Sequence, residues 1–229
     1  MNKFLIIFLF LSNLYCQDIS PFTNGEEIFY KVNLNFISVG SAKMSINKIK
    51  KDNDNYFFSF LLKTNDIWDK IFPIRDTVKS WIDKKEFYTQ KFQKIIIEPN
   101  YKINFNVTFN YEKNFYNSNN KRIDISQKVR DPYSFFYFLR TKKIKIHDEF
   151  LFNIFDNNKI YKVKLSILKE EQINSNIGIF NCFLVEAINL DENKSIMKIW
   201  MTNDNKKIPI KIISNASFGT LNMLISNIN

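Results

Sequence analysis

Glycine, proline, cysteine and histidine are scarce in this 229-residue chain, which holds 4 Gly, 5 Pro, 2 Cys and 1 His. So little Gly and Pro excludes a collagen-like or low-complexity polymer. A charged fraction of 24% beside 45% hydrophobic residues describes a chain that can bury a core. Two cysteines cannot build a disulfide scaffold. The single histidine, His147, has no second His to complete a usual metal site, and with Asp148 and Glu149 beside it reads as a turn residue. A Gly-rich phosphate loop, a nucleophile elbow and a Cys–His pairing are missing too, so ordinary hydrolase or transferase chemistry has no support and no cofactor is expected.

Arginine is the next scarcity. Of 33 basic residues four are Arg (Arg75, Arg122, Arg130, Arg140) and the rest are Lys. A formal net charge of +10 raises the question of nucleic acid, because phosphate neutralisation dominates such binding. The excess is carried by Lys in a chain also crowded with Asn, Ile and Phe, the residues that A/T-rich codons specify. The reading is therefore a solvated Lys-rich surface and no nucleic-acid partner.

Long apolar runs are confined to the start. Asn2 and Lys3 precede the unbroken apolar residues 4–11, then a mixed stretch to Cys16 and the polar Gln17 and Asp18. That is the layout of a secretory signal peptide, and the run is too short for a transmembrane span of about 20 residues. Tyr15 immediately before Cys16 fits a lipid-attachment pattern poorly. The expectation is ordinary cleavage after Cys16 and one domain over residues 17–229, exported to the periplasm, with a membrane-anchored lipoprotein through Cys16 as the alternative. Cys182, alone after cleavage and set in the apolar residues 180–188, reads as a small buried hydrophobe.

What is abundant is alternation. Tyr101, Ile103, Phe105, Val107, Phe109 and Tyr111 interleave with polar residues, and Ile28, Tyr30, Val32, Leu34, Phe36 and Tyr161, Val163, Leu165, Ile167 repeat the pattern. With further β-rich runs between Asn, Asp and Lys clusters, this gives ten or more strands in an antiparallel meander. Asp156, Asn157, Asn158, Lys159 and Asp191, Glu192, Asn193, Lys194 read as hairpin turns, and residues 114–120 as a long hairpin tip. One segment differs: Asp131 can cap a helix, Pro132 suits its first position, and an aromatic run to Arg140 follows. A helix over about 132–140 cannot expose Phe135, Phe136, Phe138 and Leu139 together, so it plugs an end or crosses the concave face of the sheet.

In so Lys-rich a chain a retained Arg suggests use of the planar fork, on a carboxylate or an anionic ligand. Arg75 lies beside Asp76, and Arg130 beside Asp131. Arg140 ends the helix, with Asp76 and Asp204 as its first candidate partners. Gly25, Glu26, Ile28 and Tyr30, then Phe36, Ile37, Gly40 and Ala42, then Ile74, Arg75 and Asp76 together resemble the bacterial exported-protein family catalogued as domain of unknown function 3108. So do Asp131, Pro132, Ser134, Tyr137, Leu139, Arg140, Gly178, Phe180, and finally Ile199, Trp200, Asp204, Pro209 and Gly219. The resemblance implies an envelope location and an antiparallel β fold, and supplies no activity.

The expectation is thus an all-β chain, a single antiparallel curved sheet or partly closed barrel with one short aromatic helix. Arg75, Asp76, Asp131, Arg140, Trp200 and Asp204 are its candidates for ligand binding or structural anchoring. Two functions remain open. One is a non-catalytic binding or assembly protein whose aromatic face holds a lipid, a glycan tail or an envelope partner chain. The other is an envelope enzyme using Asp76, Asp83, Asp131 or Asp204 as acid or base.

Overall fold

The computed structural model describes residues 21–48, 55–99, 101–216 and 219–229; residues 1–16, read from sequence as a leader ending at Cys16, lie outside them. Among the described residues, alternation in the sequence becomes one antiparallel sheet of fourteen strands. Its first half comprises β1 (Glu26–Leu34), β2 (Ile37–Lys48), β3 (Asn55–Thr64), β4 (Arg75–Asp83), β5 (Thr89–Glu98), β6 (Tyr101–Asn110), β7 (Phe115–Ser118) and β8 (Lys121–Asp124). The second half comprises β9 (Glu149–Asp156), β10 (Lys159–Ser175), β11 (Gly178–Asn189), β12 (Lys194–Thr202), β13 (Pro209–Ala216) and β14 (Gly219–Ile228). Consecutive strands pair within each half and β1 pairs with β14, so the order runs from β8 to β1 and on from β14 to β9. Residues 114–120 are not all tip: they hold β7, and Asn119 and Asn120 (φ 47° and 64°) make the turn into β8. The same positive-φ Asn pair, Asn157 and Asn158, turns β9 into β10, because only such residues tolerate this tight hairpin geometry.

Among the described residues, two short helices interrupt the sheet. α1 (Asp66–Asp69), between β3 and β4, is a single turn capped by Asn65, whose side chain accepts from the Trp68 N–H; four residues are too few to leave a periodic signal. α2 (Ser134–Arg140) begins two residues later than the 132–140 read from sequence. Asp131 still caps it, Oδ1 accepting from the N–H groups of Tyr133 (2.8 Å) and Ser134 (2.9 Å), but Pro132 and Tyr133 stay in the preceding turn.

The sheet rolls up without zipping shut. Among the described residues β8 and β9 share no ladder, so closure needs other means. On β9, Phe152 and Ile154 face the core, while Phe155 on the opposite side stacks on Phe105 of β6 and meets Phe109 of β6 and Tyr116 of β7 edge-on, with ring centroids 4.9–6.2 Å apart. One end of the sheet therefore overlaps the other. Residues 129–130 thread the seam: Thr89 N–H donates to Val129 O, Arg130 N–H to Asn153 O, and Phe155 N–H to Arg130 O. Lys94 Nζ, from β5, meets Asp156 Oδ1 across the same gap at 2.5 Å.

α2 fills the roll. Tyr137 packs on Phe58 and Phe22 at 5.0 and 5.5 Å, and Phe135 faces Phe152 at 6.3 Å. Burial of each such side chain contributes about 1.5–3 kcal/mol. Arg140, 1% exposed, ends the helix inside the core, where its fork grips Glu26 of β1: Nη1 to Oε1 2.6 Å, Nη2 to Oε2 2.8 Å. Nε donates to Lys206 O at 2.8 Å and Nη2 also to Pro21 O at 3.2 Å. The partner is thus neither Asp76 nor Asp204, because the register of β1 carries Glu26 on the same inward face as Ile28 and Tyr30.

Two expectations follow. Phe105→Ala, which empties both sides of the seam, should cost about 3–5 kcal/mol in denaturant melts, and Asn106→Ala on the outer face should stay within about ±0.5; similar losses would contradict the one-sided strand. Arg140→Ala should cost about 3–5 kcal/mol because it strands Glu26. Arg140→Lys should recover only part of that, having lost the fork, and a melt equal to the parent for both variants would put Arg140 outside the core.

Candidate functional site

The hairpins β1–β2, β9–β10 and β11–β12, together with α1, turn at one end of the roll, the hairpin end; Glu26 and Arg140 lie toward the other. The six residues drawn from sequence do not form one site. Arg75 points outward and forks onto Asp69 of α1 (Nη2 to Oδ2 2.6 Å), rather than onto its neighbour Asp76. Consecutive strand residues point to opposite faces, so Asp76 turns into the roll. Trp200 donates its indole N–H to Glu171 Oε1 at 2.5 Å and lies beneath Lys211. Asp204 Oδ1 accepts from Thr202 Oγ1 and from the N–H groups of Lys206 and Lys207, shaping the loop whose Lys206 carbonyl receives Arg140.

Asp131, 1% exposed, is a hydrogen-bond hub. Oδ2 accepts from Ser80 Oγ and Thr89 Oγ1, both at 2.6 Å, and Oδ1 caps α2. It thus ties β4, β5 and the helix together. Arg130 is not paired with Asp131; its guanidinium lies against the rings of Tyr88, Phe138 and Phe152 and donates to Glu86 O. Asp83 is spent on the N–H groups of Lys85, Glu86 and Tyr88. Of the four carboxylates proposed as acid or base, three are therefore engaged by structural donors.

Asp76 is different. Its Oδ1 is buried and, among the described residues, meets no hydrogen-bond partner. Burial first, and the Glu98 carboxylate second, push its carboxyl up to about 7, against the opposing pull of the Ile97 backbone and Lys94. Burial also raises Glu98. Tyr133, stacked on Phe58 and Phe60 at 5.4 Å, feels Asp156 and Asp76, and Tyr161 of β10 feels Asp156; burial drives both phenols well above their ordinary range. Asp76, Lys94, Glu98, Tyr133, Asp156 and Tyr161 thus converge on the inner side of the seam toward the hairpin end. Sequence marks only Asp76, since the others come from four separate segments. Their common signal is inward parity on strands, which needs the register to be seen.

Two surface hollows, of about 430 and 590 Å³, lie elsewhere, around Asp83, Tyr111 and Lys128 and around Lys113 and Asp124. They are shallow and carry fewer unmet polar groups: Tyr111 OH already donates to Thr89 O at 2.6 Å. Cys182 is buried, which pushes its thiol up to about 12 and makes it a poor nucleophile. Asp76 carries a pH signature. Its folded value lies above the unfolded one, so the folded state holds the extra proton between about pH 4 and 7, and stability falls as pH rises through that window. Asp76→Asn should flatten this slope and raise the melting temperature at pH 8 relative to the parent; an unchanged slope would mean that Asp76 is solvated.

Across 90% of this chain and 97% of the other, the fold is similar to a β-barrel-like protein of domain of unknown function 1849 from Brucella abortus, with TM-score 0.61 and 9% identity. That likeness concerns the fold alone. A candidate lipoprotein from Parabacteroides distasonis covers 90% of this chain and 96% of its own at 9% identity, with a TM-score of 0.32 that carries no argument. No curated protein matches by sequence. The model of the family described as protein of unknown function DUF3108 matches residues 29–226, nearly the whole described sheet, and the chain belongs to that family.

Proposed function

We propose that the chain is an exported, non-catalytic binding protein of the cell envelope that holds an amphiphile at the hairpin end of its rolled sheet. The observation that carries this reading is the unmet Oδ1 of Asp76, buried among side chains of mixed character. A buried acceptor without a donor costs roughly 1–3 kcal/mol, which a ligand hydroxyl or amine would recover. The stacked rings of Tyr133 and Phe60 offer an apolar wall beside it. Lys94 and the hydroxyls of Tyr133 and Tyr161 offer further polar contacts. A few polar groups in an apolar surround is the usual composition of a small-molecule site. A lipid or lipid-linked glycan suits that composition better than a partner chain. The leader pattern of residues 1–16 supports export, with residues 17–229 as the working domain.

A second reading has one observation in its favour. Asp76 near 7 beside a raised Glu98 is the kind of carboxyl pair used in general acid–base catalysis. One experiment separates the two. Native mass spectrometry of the protein purified from its own envelope should show a bound amphiphile, and uptake of a dansyl-labelled fatty alcohol should weaken on Asp76→Asn and on Tyr133→Ala. The ligand mass should stay constant on incubation. A ligand-free protein that takes up no probe would overturn binding. A ligand mass that changes with time, and stops changing in Asp76→Asn and Glu98→Gln, would favour the enzyme.

A further inference from the structure

The hairpin end also carries an outward feature that the inner site does not explain. Phe36, at the β1–β2 turn, is 99% exposed, and Ile37 beside it 56%. On and after α1, Ile67 is 72% and Ile71 69% exposed. Contiguous exposed apolar groups of this size mark interaction surfaces in soluble proteins. These tips are held out by structure. Asn35, at φ 53°, makes the turn and donates its N–H to Thr220 O at 2.9 Å. Asn65 joins α1 to the start of β2, its N–H donating to Val39 O (2.9 Å) and its Nδ2 to Ser38 O (3.3 Å). The two tips therefore form one platform.

We infer that this platform is a membrane-docking surface whose apolar tips enter the interface of an anionic lipid bilayer. Charge selects the occupant. Lys63 and Lys70 are exposed around the tips, and Arg75 is paired with Asp69, which leaves Asp66 as the opposing charge on α1. The whole chain carries +10. Basic residues around apolar tips are drawn to anionic leaflets, and apolar side chains then anchor at the headgroup boundary. A second copy fits less well, since narrow protruding tips flanked by Lys63 and Lys70 offer little area to a like-charged twin. The inference rests on the binding reading only for its purpose, which is to bring the hairpin end of the roll to the lipid that the site would take.

The test is co-sedimentation of residues 17–229 with phosphatidylglycerol-containing vesicles and with phosphatidylcholine alone. Binding should favour the anionic vesicles, fall with salt, and drop on the order of tenfold or more in Phe36→Ser/Ile67→Ser/Ile71→Ser. Lys63→Gln/Lys70→Gln should weaken it and blunt the salt dependence. Ile177→Ser/Ile179→Ser, exposed at the opposite end, should leave it unchanged. Because Cys182 is buried, a bimane label on Phe36→Cys reports the tip alone and should shift to the blue with vesicles, even if the triple variant folds poorly. Equal binding to both lipids, equal loss from the far-end pair, or an unshifted label would overturn the inference. So would a dimer that the tip variants dissociate without any vesicle binding. Uptake of the dansyl-labelled fatty alcohol in vesicle-free buffer reads the inner site by itself, so failed docking with intact uptake overturns this inference and leaves the binding reading standing.

Discussion

Glu26 and Arg140 meet, almost fully buried, inside a sheet that does not close through its own ladder, and the rest of the structure depends on that contact. A barrel is held round by backbone hydrogen bonds on every strand. Here β8 and β9 lack that continuity, so the roll takes its diameter from what lies inside it. α2 supplies the filling, and the fork of Arg140 sets where the filling sits. Desolvating two ions is expensive, and it is tolerable here because four oxygen acceptors surround the guanidinium: both Glu26 oxygens and the carbonyls of Pro21 and Lys206. The pair therefore specifies one position for the helix more than it adds net stability.

The seam follows from the plug. With α2 placed, Asp131 can reach both Ser80 and Thr89, and residues 129–130 can lie between β5 and β9. Toward Glu26 the gap is sealed by this backbone thread. Toward the hairpin end it is spanned by side chains, among them Lys94 and Asp156. Side chains close a gap less completely than a ladder does, and this is where the unmet polar atom of Asp76 is found. The candidate site is thus a by-product of the way the sheet is rolled: an inward strand position with a filled core on one side and a loosely closed seam on the other.

Much of the architecture was legible because it is local. Strict alternation from Tyr101 to Tyr111 announces β6, and Asp131 with Pro132 announces a helix, since period and capping act over a few residues. The site was legible only in part. Arg140 was singled out because Arg is rare in this chain, yet its partner Glu26 lies 114 positions away and no spacing rule links them. Asp76 stands beside Arg75 in the sequence, and the two-residue strand period turns them to opposite faces, but which of the two points into the roll depends on how β4 pairs with β3 and β5. Phe155 reads as one more apolar strand residue; that it faces β6 across a seam follows from the roll of the whole sheet, a property of fourteen strands together.

Native-state amide hydrogen exchange tests this account most directly, because it reports whether plug and seam open together. If α2 holds the roll, the seam amides of Thr89, Arg130 and Phe155 should exchange with the same opening free energy as the amides in the last turn of α2, and both groups should lose protection in parallel in Arg140→Lys. Seam amides that stay protected while α2 exchanges freely would show that the sheet holds itself round, and would contradict the account.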